Sequence, residues 1–311
     1  MSAGRRGRLA AVLTSLLSVG ALALGGCSAA GAGDGGIVVT TNILGDVTRE
    51  IAGDEADVTV LMQPGADPHS FAISARESAI VEQAGLLVHN GLGLEEGVQR
   101  NVDAAVEAGV PATAVAEQVE PVRFSGGESG GEADPHFWTD PQRMRTAVEH
   151  IRDRIVSDVD GVDEQAVRDN AAAYLAKLDE LDGWMNGQFD RIPDGQRTLV
   201  TNHHVFGYLA QRYDFTVLGA VIPSGTTLAS PSASDLEDLA GTVREAGVRA
   251  IFADSSQPDR LAQVLADRAG VDVQVRSLYS ESLTGSDGGA PTYLAMMRAN
   301  TEAIVDGLTG A

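Results

Sequence analysis

A single cysteine, Cys27, occurs in 311 residues, so no intramolecular disulfide is possible. Lysine is as scarce: of 22 basic residues only Lys177 is a lysine, a compositional bias without functional content. Positive charge is in deficit, with a formal net charge of −22. An acidic excess of that size repels nucleic acid and anionic lipid and argues against both as partners. After residue 26 no apolar run approaches the roughly 20 residues that a membrane-spanning helix needs. No HExxH or comparable zinc-hydrolase motif is present.

What is there begins at the N-terminus. Arg5, Arg6 and Arg8 precede an apolar stretch over 9–24, and small residues lead to the thiol. That is the layout of a secretory signal, and the apolar stretch is too short to span. The ending Leu24-Gly25-Gly26-Cys27 resembles the lipobox of bacterial lipoproteins. The expectation is a signal peptide over 1–26, lipidation at Cys27, and a small-residue flexible tether over 27–36. Everything beyond is expected to be extracytoplasmic and lipid-anchored to the cell membrane. Removing the three leader arginines takes the formal charge from −22 to −25, which attracts cations weakly and without selectivity.

The remaining chain is long enough for one large or two medium domains. It alternates β-branched runs with helical spacing, beginning IVVTT at 37–41 and VTVLM at 58–62. Alternation of this kind predicts an α/β fold with mostly parallel sheets. Strands are expected at 37–41, 58–62, 86–89, 113–116, 198–201, 215–221, 250–253 and 271–278. Helices are expected at 43–51, 75–83, 94–108, 142–156, 163–189, 205–212, 234–246, 261–269 and 291–308. The stretch 124–133 (FSGGESGGEA) has no periodicity and reads as loop. A helix over 163–189 would reach nearly 40 Å, which suits a strut between two lobes. The halves also echo each other: VTTN at 39–42 and VTNH at 200–203 each lead through a helix to a strand and a proline-glycine break. The expected organisation is an N-terminal lobe over 37–160, a linking helix over 161–192, and a C-terminal lobe over 193–311, with a site in the cleft between lobes.

Three of the six histidines sit where packing does not account for them. His69 follows the second strand, His136 precedes a helix after the glycine-rich loop, and His203 ends the first strand of the second half. Carboxyl ends of parallel strands are where ligands bind in open α/β sheets. Glu281 follows the last strand. Three imidazoles and one carboxylate make a tetrahedral donor set for a divalent transition metal. His204 competes with His203, since neighbours at a strand end point opposite ways. His89 reads as a hydrogen-bonded wall residue, His150 as a solvated helix face, and Asp254 as an acceptor lining the cleft. Asp287 reads as loop, and Trp138 and Tyr208 as packing near the site.

Four segments carry a family resemblance: QPGADPH at 63–69, NGLGLE at 90–95, DPHFWTDP at 134–141 and YLAMMRAN at 293–300. The chain resembles the substrate-binding lipoproteins of bacterial zinc and manganese ABC importers. The resemblance implies metal ligation by His69, His136 and His203, a carboxylate ligand at Glu281 where aspartate is usual, and two lobes joined by a rigid helix. It implies delivery of the ion to a membrane permease by a monomer that is not an enzyme. Many zinc members carry a histidine-rich loop before the second ligand; here FSGGESGGEA has none, although Glu128 and Glu132 attract cations weakly. Three imidazoles favour Zn2+ over Mn2+, which takes more oxygen ligands. Imidazoles must be neutral to bind, so affinity is expected to fall below pH of about 6.5. Two other functions fit the chain less well: a binding lipoprotein for an organic solute, and a surface zinc hydrolase with Glu281 as base.

Overall fold

The computed structural model describes residues 35–125, 129–270 and 273–310. The expected signal peptide, Cys27 and most of the tether lie outside the described residues, as does Glu128.

Two four-stranded parallel sheets form the frame. The first contains β1 (Ile37–Val39), β2 (Val58–Val60), β3 (Leu86–His89) and β4 (Ala112–Ala114) in the order β2-β1-β3-β4. The second contains β5 (Thr198–Thr201), β6 (Thr216–Ala220), β7 (Ala250–Asp254) and β8 (Gln274–Leu278) in the order β6-β5-β7-β8. The two orders are the same pattern, which gives the weak sequence echo a structural counterpart. Helices connect the strands as parallel pairing demands. In the first lobe these are α1 (Asn42–Ala52), α2 (Ala75–Val81), α3 (Gln99–Glu107) and α4 (Pro141–Asp158). Next comes α5 (Glu164–Phe189), and in the second lobe α6 (Gly207–Tyr213), α7 (Ala233–Ala246), α8 (Arg260–Ala269) and α9 (Tyr293–Thr309).

The long helix is set by its own residues. Asp163 caps it by accepting from the amides of Gln165 and Ala166. Val167, Ala171, Tyr174, Leu178, Leu181, Met185 and Phe189 form one buried stripe along it. That stripe joins an apolar cluster reaching from Ile37 in β1 to Phe252 in β7 and Leu308 in α9. One core therefore runs behind both sheets, while each sheet's other face has a separate cluster of its own. The α4 helix starts as its sequence dictates, with Asp140 accepting from the Gln142 amide and Pro141 in the first turn.

Local differences from the sequence reading have identifiable causes. The helix expected over 94–108 starts only at Gln99, because Gly91, Leu92 and Gly93 all hold positive φ and the chain turns through Val98. The strand expected over 113–116 ends at Ala114, and Val115–Gln118 forms a 3-10 turn. The stretch read as plain loop at 124–133 begins as a hairpin-like return. Arg123 bridges Ala133, and the Phe124 amide donates to the Glu132 carbonyl at 3.0 Å.

Candidate metal centre

The four candidates arrive from four different loops. His69 lies beyond β2, His136 between β4 and α4, His203 directly after β5, and Glu281 after β8. One donor atom from each falls within 4.8 Å of all the others. All four side chains are buried. His69 Nε2 and His136 Nε2 are 3.4 Å apart. Glu281 Oε1 lies 3.0 Å from His203 Nε2 and 3.6 Å from His136 Nε2, and Oε2 lies 3.9 Å from His69 Nε2. Four donors at bond lengths of about 2.0–2.1 Å around one tetrahedral centre stand roughly 3.3 Å apart. The observed spacings bracket that edge. Of the two adjacent histidines, His203 joins the cluster: His204 turns toward Phe124, 6.4 Å between ring centroids, and lines an open groove of about 820 Å³.

The loops are held by a connected set of hydrogen bonds. In both Asp-Pro-His turns the aspartate Oδ1 accepts the histidine amide, at 3.0 Å for Asp67 and 2.9 Å for Asp134. Asp134 Oδ1 also lies 2.8 Å from His136 Nδ1. That contact fixes the tautomer with the proton on Nδ1 and leaves Nε2 as a lone pair facing the cluster. Asn90 donates to the Pro135 carbonyl at 3.0 Å. Its own amide, the Gly91 amide and the Thr40 hydroxyl all donate to buried Glu95. Trp138 Nε1 donates to the Ser280 carbonyl at 2.8 Å, and Tyr208 donates to the Asp134 carbonyl at 2.7 Å. Trp138 and Tyr208, expected only to pack, thus tie the loops that carry His136 and Glu281. Sequence reasoning missed Asp67, Asp134 and Glu95. The visible signal was the tripeptide Asp-Pro-His occurring twice, at 67–69 and 134–136.

Other expectations need correction. His150 is half-buried, not solvated, with Nε2 2.7 Å from the Thr113 hydroxyl. His89 is buried, but its Nδ1 has no hydrogen-bond partner among the described residues. Asp254 does line the cleft: it is buried and accepts from the Ser280 hydroxyl just before Glu281.

Burial sets the electrostatics. It drives the His69 pKa down to about 2, helped by His136 and His203 close by. It holds His136 well below the usual histidine range and lowers His203. Burial also pushes Glu281 well above the ordinary carboxylate range, reinforced by Asp254, Asp67 and Asp134, and raises Asp134 to about 7. Burial thus disfavours charge on all four groups, the neutral form being favoured for the imidazoles and for the carboxyl alike. The lowered imidazole values move the expected histidine-controlled loss of affinity to a pH below 6.5. Both Glu281 oxygens and His203 Nε2 are buried without a hydrogen-bond partner among the described residues. Orphaned buried acceptors of this kind are costly alone and suited to a cation.

Paired α/β lobes, with three buried histidines and one carboxylate clustered at the strand ends, define a metal-binding protein of the two-lobed solute-binding class. The sequence matches the family model described as zinc-uptake complex component A, periplasmic, over residues 37–307, and the chain belongs to that family. It is similar to the manganese-binding lipoprotein MntA of Halalkalibacterium halodurans, 31% identical, with 94% of this chain and 97% of that protein covered. It is also similar to the iron-binding protein YfeA of Yersinia pestis, 29% identical, covering 87% and 85% of the two chains. Among solved structures, the periplasmic zinc-binding protein TroA of Treponema pallidum superposes with a TM-score of 0.80 at 28% identity, covering 88% of this chain and 98% of that one.

Proposed function

We propose that this protein captures one divalent transition-metal ion through His69, His136, His203 and Glu281 and delivers it to the permease of an ABC importer. The observation that carries the reading is the convergence of one donor atom from each of three buried histidines and one buried carboxyl within 4.8 Å of one another. Family membership supplies the transport context. The ion is read as cargo: all four candidate ligands are buried, which favours binding over hydrolysis. Zinc suits the nitrogen-rich set best, with manganese next. The relatives' printed names include manganese, iron and zinc, so the family by itself does not choose. The signal-like N-terminus and Cys27 support attachment to the outer face of the cell membrane through lipid.

Metal analysis of protein purified without added ions, followed by zinc and manganese titration calorimetry, tests the reading. The expected result is one tightly held ion per chain, lost in His203→Ala. An organic molecule bound in place of a metal, or unchanged affinity in His203→Ala, would overturn it.

A further inference from the structure

Hydrogen bonds cross between the lobes on both flanks of the cluster. On one flank, Asn42 at the start of α1 donates to the Ser282 hydroxyl at 2.8 Å and accepts from the Leu283 amide at 2.9 Å. The Gly65 amide donates to the Leu283 carbonyl at 2.9 Å, and Trp138 reaches the Ser280 carbonyl. Main-chain groups anchor this side. The first lobe thereby grips residues 280–283, so Glu281 is held against His69 and His136 although its strand belongs to the second sheet.

On the other flank Tyr208 donates to the Asp134 carbonyl and accepts from the Val122 amide, the Gly225 amide donates to the Ser129 hydroxyl at 3.1 Å, and Asp67 makes purely side-chain contacts. Asp67 Oδ2 accepts from the Thr227 hydroxyl at 2.7 Å and from Gln257 Nε2 at 2.8 Å, both from loops of the second lobe. Within its own lobe Asp67 also accepts from the Ser70 hydroxyl at 3.0 Å and, through Oδ1, from the His69 amide. These two side-chain bonds can be undone by rotamer changes without moving the main chain. The carboxylate that shapes the His69 turn is thus the same one that receives the second lobe.

We propose that Asp67 is the latch that holds the lobes closed over the ion, a positioning residue acting through Thr227 and Gln257; this rests on the metal-binding reading above. Release of the latch lets the Thr227 and Gln257 loops withdraw and carries His203 away from the other three ligands. The Asn42 flank acts as the hinge.

The test is the rate of zinc release from the full chain into excess chelator by stopped flow, with manganese substituted if that is the ion wild type retains. The double variant Thr227→Val, Gln257→Leu leaves the Asp67–His69 turn untouched. It is expected to release metal about 10- to 100-fold faster, the loss of two side-chain hydrogen bonds. Association rate and metal-free melting temperature should stay at the wild-type values. Thr227→Ser keeps the hydroxyl and should release at the wild-type rate, as should Ser70→Ala, which removes a bond that does not cross. An unchanged rate in the double variant, or an equal acceleration in Ser70→Ala, would overturn the latch. If wild type binds neither ion, the metal-binding reading itself fails, an outcome distinct from a failed latch.

Discussion

The turns Asp67-Pro68-His69 and Asp134-Pro135-His136 share a tripeptide and one hydrogen bond, from the histidine amide to aspartate Oδ1. They part company at the remaining carboxylate contacts. Asp134 spends its second contact on the ring of its own histidine, whereas Asp67 turns outward to Ser70, Thr227 and Gln257. His69 Nδ1 is consequently left without a partner among the described residues. The same local chemistry thus orients a histidine ring in one place and joins two lobes in the other. Surroundings decide: Asp134 is enclosed by Tyr208 and Val122 beside its own turn, and Asp67 faces the loops after β6 and β7.

The largest effects should be common to both turns. Replacing either His69 or His136 by alanine removes a donor from a four-donor set, and each should weaken zinc binding by more than about 100-fold, beyond the 10–100-fold span typical of a ligand's supporting partner. Calorimetry that found one of the two dispensable would break the symmetry of the site. Next in size, Asp134→Ala should weaken equilibrium affinity by about 10- to 100-fold through loss of the fixed tautomer. Asp134→Asn, whose amide oxygen still accepts from Nδ1, should recover part of that loss. An Asp134→Ala affinity equal to wild type would remove the distinction between the turns.

The smallest effect concerns protons. The imidazole pKa values are lowered and Glu281 is raised, so any proton released when the cation binds is expected to come from the carboxyl. The Glu281 side chain holds its proton above its unfolded range, so the penalty for losing it shrinks as pH rises. Affinity should therefore climb as pH rises through the raised Glu281 range, with the histidine contribution displaced below the ordinary value of about 6.5. Calorimetry in buffers of different ionisation enthalpy should register proton release on binding in wild type and its loss in Glu281→Gln. Proton release that persists unchanged in that variant would assign it to the histidines instead.

The frame was legible because its signals are local. Hydrophobic periodicity and capping residues marked the long helix from Glu164 to Phe189 within one residue, and β-branched runs marked strands such as β1 and β2. Where glycines set positive φ, as at Gly91 and Gly93, periodicity over-extended a helix. Three histidines at strand ends were visible as candidates, yet the choice between His203 and His204 was not, since it depends on which side of β5 faces the cleft. Least legible were the supporting contacts. The bonds from Thr227 to Asp67 and from Asn42 to Leu283 join residues 160 and 241 positions apart. No spacing rule connects them; only the assembled lobes do.

Crystallography of the metal-loaded protein, with anomalous difference maps recorded on both sides of the zinc absorption edge, measures the ligand set directly. One strong peak should lie within bonding distance of the Nε2 atoms of His69, His136 and His203 and of the Glu281 carboxylate. A peak elsewhere in the molecule, or one that leaves Glu281 or any of the three imidazoles uncoordinated, would contradict the convergence on which the transport function rests.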